Sequence, residues 1–315
     1  YKALNNNPNR PLFNRSVQGQ YPPASTIKPF LGLLGLHLDT VTPATQVYDP
    51  GYFQLPNYPR RYRDWKRSGH GLINLHDSIV QSCDTYFYEL GLKLGIDPMH
   101  RFLKQFYFGS PTGVEVQGES KGLIPSSQWK LNALKTQWFP GETLIAAIGQ
   151  GYMLATPLQL AVAAGGLATE GRVMKPRLIH AVKSQDPLKP WNFKPAEILS
   201  KIEHKNTIDP KHWKLITQSL IDVVHSPKGT GKKAGLNLNF QVAGKTGTAQ
   251  VIGIKQGEKY DVSTIAQNHA DHALFIGYAP AENPQLAVAI VIENAGGGGS
   301  NAAPIANELF KTYLQ

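Results

Sequence analysis

Apolar residues recur at a helical period after the double proline of YPPASTIKPFLGLLG, the stretch Tyr21–Gly35. Pro22 and Pro23 keep a helix from entering from upstream, and Pro29 is tolerated only close to a first turn. The helix is therefore predicted to begin near Ser25 and to run to about Leu38, with Leu31, Leu34 and Leu38 on its buried side. Ahead of it, the polar, Asn- and Arg-rich Tyr1–Gln20 reads as an extended lead-in. Thr40–Leu72 reads as irregular chain, with a turn at Asp49-Pro50-Gly51. The helical period returns over Asn74–Leu94 through Phe87, Leu90 and Leu94, with a break near Ser82. Further helices are predicted over Pro98–Phe106, from the Thr156-Pro157 cap to Ala168, and over His212–Val224. Lys183–Pro195 reads as an exposed, proline-broken insertion. The β-rich runs are Phe240–Ile252, Ala273–Ala279 and Leu286–Glu293, with a polar flap predicted at Gly253–His272. A glycine loop, Gly296–Gly299, precedes a last helix over Ala302–Tyr313. Helices followed by three antiparallel strands and a returning helix predict an α+β fold, a sheet packed on helices.

Composition narrows this little. At 315 residues, 41% hydrophobic and 17% charged, the chain is long enough for a full core and ordinary for a globular protein. No apolar run approaches the roughly 18–20 residues that span a bilayer. The chain opens at Tyr1, so a membrane anchor is expected upstream of it. The net charge of +10 would suit an anionic partner, but the basic residues are scattered and no aromatic-basic nucleic-acid motif is present, so no nucleic acid is expected. A single cysteine rules out an internal disulfide.

The candidate chemistry begins at Ser25. Residues three apart on a helix share a face, so Lys28 of Ser25-Thr26-Ile27-Lys28 can reach the Ser25 hydroxyl. A serine needs a base beside it to act as a nucleophile, and a lysine serves only when burial or a second cation favours its neutral form. Two further stretches fit this chemistry. Ser82-Cys83-Asp84 falls at the helix break, and Lys245-Thr246-Gly247-Thr248 falls on the first strong strand. On that strand Lys245 and Gly247 share a face, and a glycine leaves room for a substrate backbone along the edge. Lys245 offers positive charge to a carboxylate and to the Lys28 environment, and the N–H groups of Ser25 and Thr248 are natural oxyanion donors. Each stretch alone is weak. The order S-x-x-K, S-x-[DN], K-T-G is that of the penicillin-recognising acyl-serine enzymes.

On these residues, and on RPLFNRSVQGQYPPASTIKPF, DPGYFQLPNYPRRYRDWKRSGHG, SCDTYFYELGLKLGID, GQGYMLATPLQL and AGKTGTAQV, the chain resembles the transpeptidase domain of class B, high-molecular-weight penicillin-binding proteins. Within them it is most similar to the elongation-type group, penicillin-binding protein 2, of Gram-negative bacteria. The resemblance covers essentially the whole chain, departing mainly in Lys183–Asn206 and Gly253–His272. It implies the serine beta-lactamase-like fold and a peptidoglycan D,D-transpeptidase. Ser25 would be the acylated nucleophile and Lys28 its base. Ser82 would relay protons, and Asp84 would hold Lys28 and the bound amide. Lys245, Thr246, Gly247 and Thr248 would bind the donor. Implied partners are D-Ala-D-Ala stem peptides, a diamino-acid acceptor, beta-lactams and a SEDS-type glycosyltransferase. The implied location is the periplasmic face of the inner membrane, with the anchor and a pedestal domain upstream. A serine beta-lactamase, which shares the three motifs, a D,D-carboxypeptidase and a beta-lactam sensor, whose relatives usually carry a hydrophobic residue in place of Asp84, are the alternatives. No E-x-x-x-N type deacylation motif stands out, and the Gly149-Gln150-Gly151 and DPG-to-GHG stretches favour the transpeptidase.

A metal site is the last expectation. By residue chemistry alone, Cys83 is a buried small thiol, Asp49 and Asp64 make turn hydrogen bonds, and His70 is solvated. The resemblance implies otherwise, because elongation-type relatives carry a zinc site in the matching segment. Carboxylate, imidazole and thiolate are all zinc ligands. The expected set is Asp49, Asp64, His70 and Cys83 around a structural Zn²⁺.

Overall fold

The computed structural model describes residues 1–186, 188–202, 208–251 and 270–315. The predicted flap lies outside them over 253–269, as does the end of the predicted first strand at Ile252.

The lead-in contains two single helical turns, α1 (Lys2–Asn5) and α2 (Arg15–Gln18), where extended chain was expected. A 3₁₀ turn, Ala24–Ile27, then feeds α3 (Lys28–His37). The predicted irregular segment instead forms four short strands: β1 (Gln46–Asp49), β2 (Tyr52–Gln54), β3 (Arg61–Arg63) and β4 (Gly71–Asn74). β1 pairs with β4 and β2 with β3, both antiparallel, so the segment is one hairpin nested inside another. Next come α4 (Leu75–Val80), α5 (Asp84–Leu94), α6 (Ile96–Gln105), α7 (Ser127–Leu134), α8 (Pro140–Ala147) and α9 (Pro157–Ala168). Short strands β5 (Arg172–Met174), β6 (Ala181–Val182), β7 (Asn192–Phe193) and β8 (Ile198–Lys201) form two small antiparallel ribbons, of which only β7 falls within the predicted insertion Lys183–Pro195. α10 (Pro210–His225), a 3₁₀ turn at Lys232–Gly235, β9 (Ala243–Ala249), β10 (His272–Ala279), β11 (Leu286–Ile292) and α11 (Gly298–Leu314) complete the described chain.

The three predicted strands form one antiparallel sheet in the order β11-β10-β9, which among the described residues leaves β9 at an edge. α9, α10 and α11 pack against this sheet. α10 buries Trp213, Ile216, Leu220 and Val224, the stripe that a 3.6-residue period lays on one face. α3 differs from the one-sided helix that was expected. Every residue from Lys28 to Leu36 is buried, because α4, α5, α6 and α10 surround it, while Leu38 lies past its end and is exposed. Among the described helices the most enclosed thus begins at the lysine of the first motif. α11 starts inside the glycine loop. A Cβ at Gly298 would stand 2.2 Å from Leu274 O and 2.3 Å from Gly247 O, so only glycine lets the helix begin against the sheet. Among the described residues no helix is long and apolar enough to cross a membrane.

Candidate active site

Ser25 sits on the 3₁₀ turn, where residues three apart eclipse one another, and Lys28 N–H closes that turn on Ser25 O. The turn is held by two unusual backbone positions. Ala24 has φ of 50°, and its N–H donates to Gly149 O at 2.8 Å. Gly149 itself has φ of 70°, and a Cβ there would stand 2.2 Å from Ala24 O. Its neighbour Gln150 donates from Nε2 to Thr248 O at 3.1 Å, tying the same turn to β9. The role of Gly149 was not read from the sequence, where Gly149-Gln150-Gly151 counted only towards the family resemblance. Gly149→Ala is expected to cost roughly 2–4 kcal/mol, combining the left-handed backbone penalty with the clash. Urea unfolding reads this, and an unchanged midpoint contradicts it.

The second motif occupies the gap between α4 and α5. Ser82 has φ of 59°, which ends α4 and re-aims the chain. Asn74 caps α4 by accepting from Asp77 N–H at 2.9 Å. Cys83 Sγ accepts from Tyr86 N–H at 3.5 Å, and Asp64 Oδ2 accepts from Asp84 N–H and Thr85 N–H at 2.6 and 3.0 Å. The start of α5 is thus capped from a distant loop. The same loop supplies Trp65 N–H to Asp84 Oδ2 at 3.1 Å. The other oxygen of Asp84 pairs with Lys28 Nζ at 2.7 Å. Lys28 also donates to Ser82 O at 2.8 Å and lies 3.4 Å from Ser82 Oγ. Three oxygens thus partner the buried Nζ, which would be costly to bury alone.

The third motif approaches from β9. Lys245 is fully buried, and its Nζ donates to Thr246 O at 3.1 Å. Burial, with Lys28 as a second cation, pushes Lys245 well below the ordinary lysine range. Thr246 Oγ1 lies 2.8 Å from Thr230 Oγ1, and Thr248 is exposed at the strand edge. Gly247 serves packing as well as any substrate. The space a side chain would need there is taken by Thr26 Cγ2 at 3.0 Å, Leu274 Cβ at 3.2 Å and Pro23 O at 3.3 Å.

A cleft of about 620 Å³ joins the three motifs, with Ser25, Ser82, Asp84, Thr246, Gly247 and Thr248 in its wall. Lys28 and Lys245 stand behind that wall. Sequence reasoning missed other lining groups: Trp65, Gln150, Thr230 and the basic residues Arg67, Lys232 and Lys233. Gln150, Trp65 and Arg67 lie in stretches that carried the family resemblance, but nothing in their spacing assigned them to the cleft.

The four expected metal ligands also converge. One donor atom from each of Asp49, Asp64, His70 and Cys83 lies within 4.8 Å of all the others. His70 Nδ1 is 2.7 Å from Asp49 Oδ2 and 3.6 Å from Asp64 Oδ1, and Cys83 Sγ is 3.5 Å from Asp49 Oδ2. His70 Nε2 is buried with no hydrogen-bond partner. Burial raises the Asp49 carboxyl, but hydrogen bonds from Thr85, His70 and Gly51 outweigh it and hold the group below the usual range. Burial, and then Asp84, push Asp64 up, while burial and then Asp64 push the Cys83 thiol far up. Two buried carboxylates, an imidazole and a thiol facing one another are a donor set that suits zinc. The histidine is therefore enclosed by the cluster and not solvated.

Comparison with known proteins agrees with this geometry. The chain is 43% identical over 314 residues to the peptidoglycan D,D-transpeptidase MrdA of Haemophilus influenzae, covering all of this chain and 47% of that protein. It therefore spans about half the length of that relative. The crystal structure of Pseudomonas aeruginosa PBP2 in complex with WCK 5153 superposes with a TM-score of 0.86 at 42% identity, covering all of this chain and 64% of that one. PBP2 of Helicobacter pylori, in its complex with MreC, superposes with a TM-score of 0.80 at 29% identity, covering all of this chain and 54% of that one. Residues 2–311 match the family model for the penicillin binding protein transpeptidase domain, and the chain belongs to that family.

Proposed function

We propose that this chain is the catalytic domain of a peptidoglycan D,D-transpeptidase. The observation that carries the reading is the convergence of Ser25, the Lys28–Asp84 pair, Ser82 and the Thr246–Thr248 edge on one cleft. Ser25 Oγ attacks the carbonyl of the D-Ala-D-Ala bond, and its proton passes to Lys28, the general base. Lys28 is within 3.4 Å of Ser82 Oγ, so the proton has a short path through Ser82 to the leaving amine of D-Ala. The side-chain amine of a diamino acid on a neighbouring stem then attacks the acyl-serine. The amide cross-link forms, Ser25 is released, and the amine's proton returns by the same groups. The N–H groups of Ser25 and Thr248 stabilise the oxyanion at each step. A beta-lactam enters as a donor mimic and leaves Ser25 acylated.

The edge position of β9 favours a donor lying along it as an added strand. Its terminal carboxylate meets the Thr246 and Thr248 hydroxyls, with the buried Lys245 amine behind them. Thr248→Val is expected to slow acylation roughly 10–100-fold, the value of one hydrogen bond to a charged group, while folding changes little. Equal acylation of donors with and without that carboxylate contradicts the assignment. The reading as a whole is tested by acceptor dependence. Purified protein is given a D-Ala-D-Ala donor with and without a diamino-acid acceptor. Cross-linked product that appears only with acceptor is expected, and rapid hydrolysis of penicillin by water alone overturns it.

A structural zinc ion held by Asp49, Asp64, His70 and Cys83 belongs to the same proposal. When bound, it would supply a divalent charge that offsets two of the three negative charges of the carboxylates and the thiolate and would close the loop on α5. Proposed with it are a periplasmic location at the inner membrane, an anchor and pedestal domain supplied from outside this chain, and assembly with a SEDS-type glycosyltransferase. The structurally similar H. pylori PBP2, seen in complex with MreC, supports a place in a multiprotein assembly.

A further inference from the structure

A second cavity adjoins the catalytic cleft. It holds about 350 Å³ and is walled by the rings of Tyr58, Tyr62, Trp138, Phe139 and Tyr152 and by Arg60. The two cavities share one stretch of chain. Ile145, Ala146, Gly151 and Tyr152 face the aromatic cavity, while Ile148 and Gln150 face the cleft. Gln150 and Gly151 are consecutive, so a single backbone segment separates them.

The cavity is built, not left over from packing. Trp138 Nε1 donates to Thr143 Oγ1 at 2.7 Å, and Phe139 N–H donates to Glu142 Oε2 at 2.8 Å. Buried Lys130 pairs with Glu142 at 2.6 Å and sits 4.6 Å from the centre of the Phe139 ring. On the opposite wall the Arg60 guanidinium lies 5.0 Å from the centre of the Tyr62 ring. A Cβ at Gly141 would stand 2.3 Å from Tyr62 Oη, so glycine is needed for that ring to close the cavity. Tyr58 keeps 58% of its surface exposed and Phe139 keeps 49%, a large area of ring left to solvent beside a catalytic cleft.

The lining selects a ligand class. Aliphatic side chains are few, chiefly Leu55 and Ile145, so the walls are flat ring faces and not the branched surface that grips an apolar peptide side chain. The tyrosine hydroxyls, Arg60 and Glu142 add hydrogen-bonding groups to the ring faces. A pyranose has this shape, with C–H groups on its faces and hydroxyl and acetamido groups around its edge. The volume lies at the small end of ligand pockets, which run roughly 300–1,000 Å³, and suits one sugar residue. Resting on the transpeptidase reading above, we propose that this aromatic cavity seats an N-acetylhexosamine ring of the glycan strand whose stem peptide enters the catalytic cleft. The cavity then positions the sugar one chain-thickness away from the peptide it carries.

The test uses the whole chain with a disaccharide-pentapeptide, the same pentapeptide without sugar, a peptide-free N-acetylglucosamine tetramer, and fluorescent penicillin. In the parent, the glycopeptide is expected to acylate Ser25 roughly tenfold more efficiently than the bare peptide, the scale of one well-seated aromatic contact. Saturation-transfer NMR is expected to show the tetramer bound. Tyr58→Ala and Arg60→Ala, both at exposed positions, are expected to remove the sugar advantage and the tetramer signal. Their rates with bare peptide and penicillin stay at the parent's, which also shows that the variants fold. Equal use of the two peptides by the parent, or a tetramer signal that survives in both variants, overturns the proposal. So does displacement of the tetramer by an apolar peptide without sugar. Failure of penicillin to label the parent overturns the transpeptidase reading instead, and the tetramer signal then decides the sugar site by itself.

Discussion

Ser25→Ala is expected to abolish covalent labelling by fluorescent penicillin and leave the domain folded. Ser25 is only half-buried, and the turn that carries it is held by backbone contacts to Gly149, so deleting one hydroxyl leaves the packing intact. Stability is expected to change by less than about 1 kcal/mol. Lys28 is a different case. It is fully buried and paired with Asp84 at 2.7 Å, so Lys28→Ala both removes the base and strands a carboxylate. Breaking a buried pair costs about 3–5 kcal/mol, which would blur a kinetic result with unfolding. Lys28→Met strands the same carboxylate but keeps the volume and leaves no cavity, and is the cleaner of the two. Acylation is expected to fall about 10²–10⁴-fold, the usual contribution of a positioned acid or base, while the initial non-covalent affinity for penicillin changes little. Asp84→Asn keeps one acceptor oxygen, enough for Lys28 but not for Trp65 N–H as well, and is expected to cost less than Lys28→Met. Stopped-flow acylation separates binding from chemistry. Labelling that survives Ser25→Ala, or a Lys28→Met defect confined to binding, removes these residues from their roles.

What was legible in the sequence was local. Ser25 and Lys28 are one turn apart, so spacing alone brought them together. The break at Ser82 interrupts a clear helical period, and the structure puts a left-handed residue there. The three strands of the sheet are long enough to carry a β signal. The nested hairpins before α4 were not legible. Their strands are three or four residues long, and pairings such as Gln46 with Asn74 depend on partners far along the chain. α8 was missed because Phe139, a poor capping residue, stands at its N-cap, with Glu142 supplying the hydrogen bond from the first turn. Leu38 fits the helical period of α3 and still lies outside the core, because period specifies a face and not where the helix ends. Gly149 and the burial of Lys245 depend on what the finished fold puts against them, which no local pattern records. The aromatic cavity joins Tyr58 and Tyr62 to Trp138 and Tyr152 across the same kind of distance.

Metal removal is expected to lower thermal stability and penicillin acylation together. The link between the two is a chain of contacts. Asp64, one of the four ligands, accepts the N–H groups of Asp84 and Thr85 and so fixes the start of α5. The next residue, Trp65, holds one Asp84 oxygen, and the other holds Lys28. Asp49 accepts from Thr85 Oγ1 at 2.7 Å, so a second ligand grips the same turn. An ion that ties Asp49, Asp64, His70 and Cys83 together therefore holds the carboxylate that positions the catalytic lysine. Without it, two buried carboxylates and a thiol face one another, and the loop between Asp49 and His70 has less reason to stay closed. The binding energy of a structural metal adds directly to folding energy. In a large domain each kcal/mol lost lowers Tm by roughly 2 °C, so even a partial contribution is measurable. Protein purified without chelator is expected to carry about one zinc ion per chain, with four protein ligands and no open position. Chelation is expected to lower Tm and slow acylation, and added zinc is expected to restore both. Cys83→Ser replaces a soft thiolate with a poor ligand and is expected to lose the ion under conditions where the parent keeps it. Elemental analysis of both proteins decides the matter. Zinc absent from the parent, or retained undiminished in Cys83→Ser, leaves the cluster as a hydrogen-bonded turn, and a fall in acylation on chelation would then need another cause.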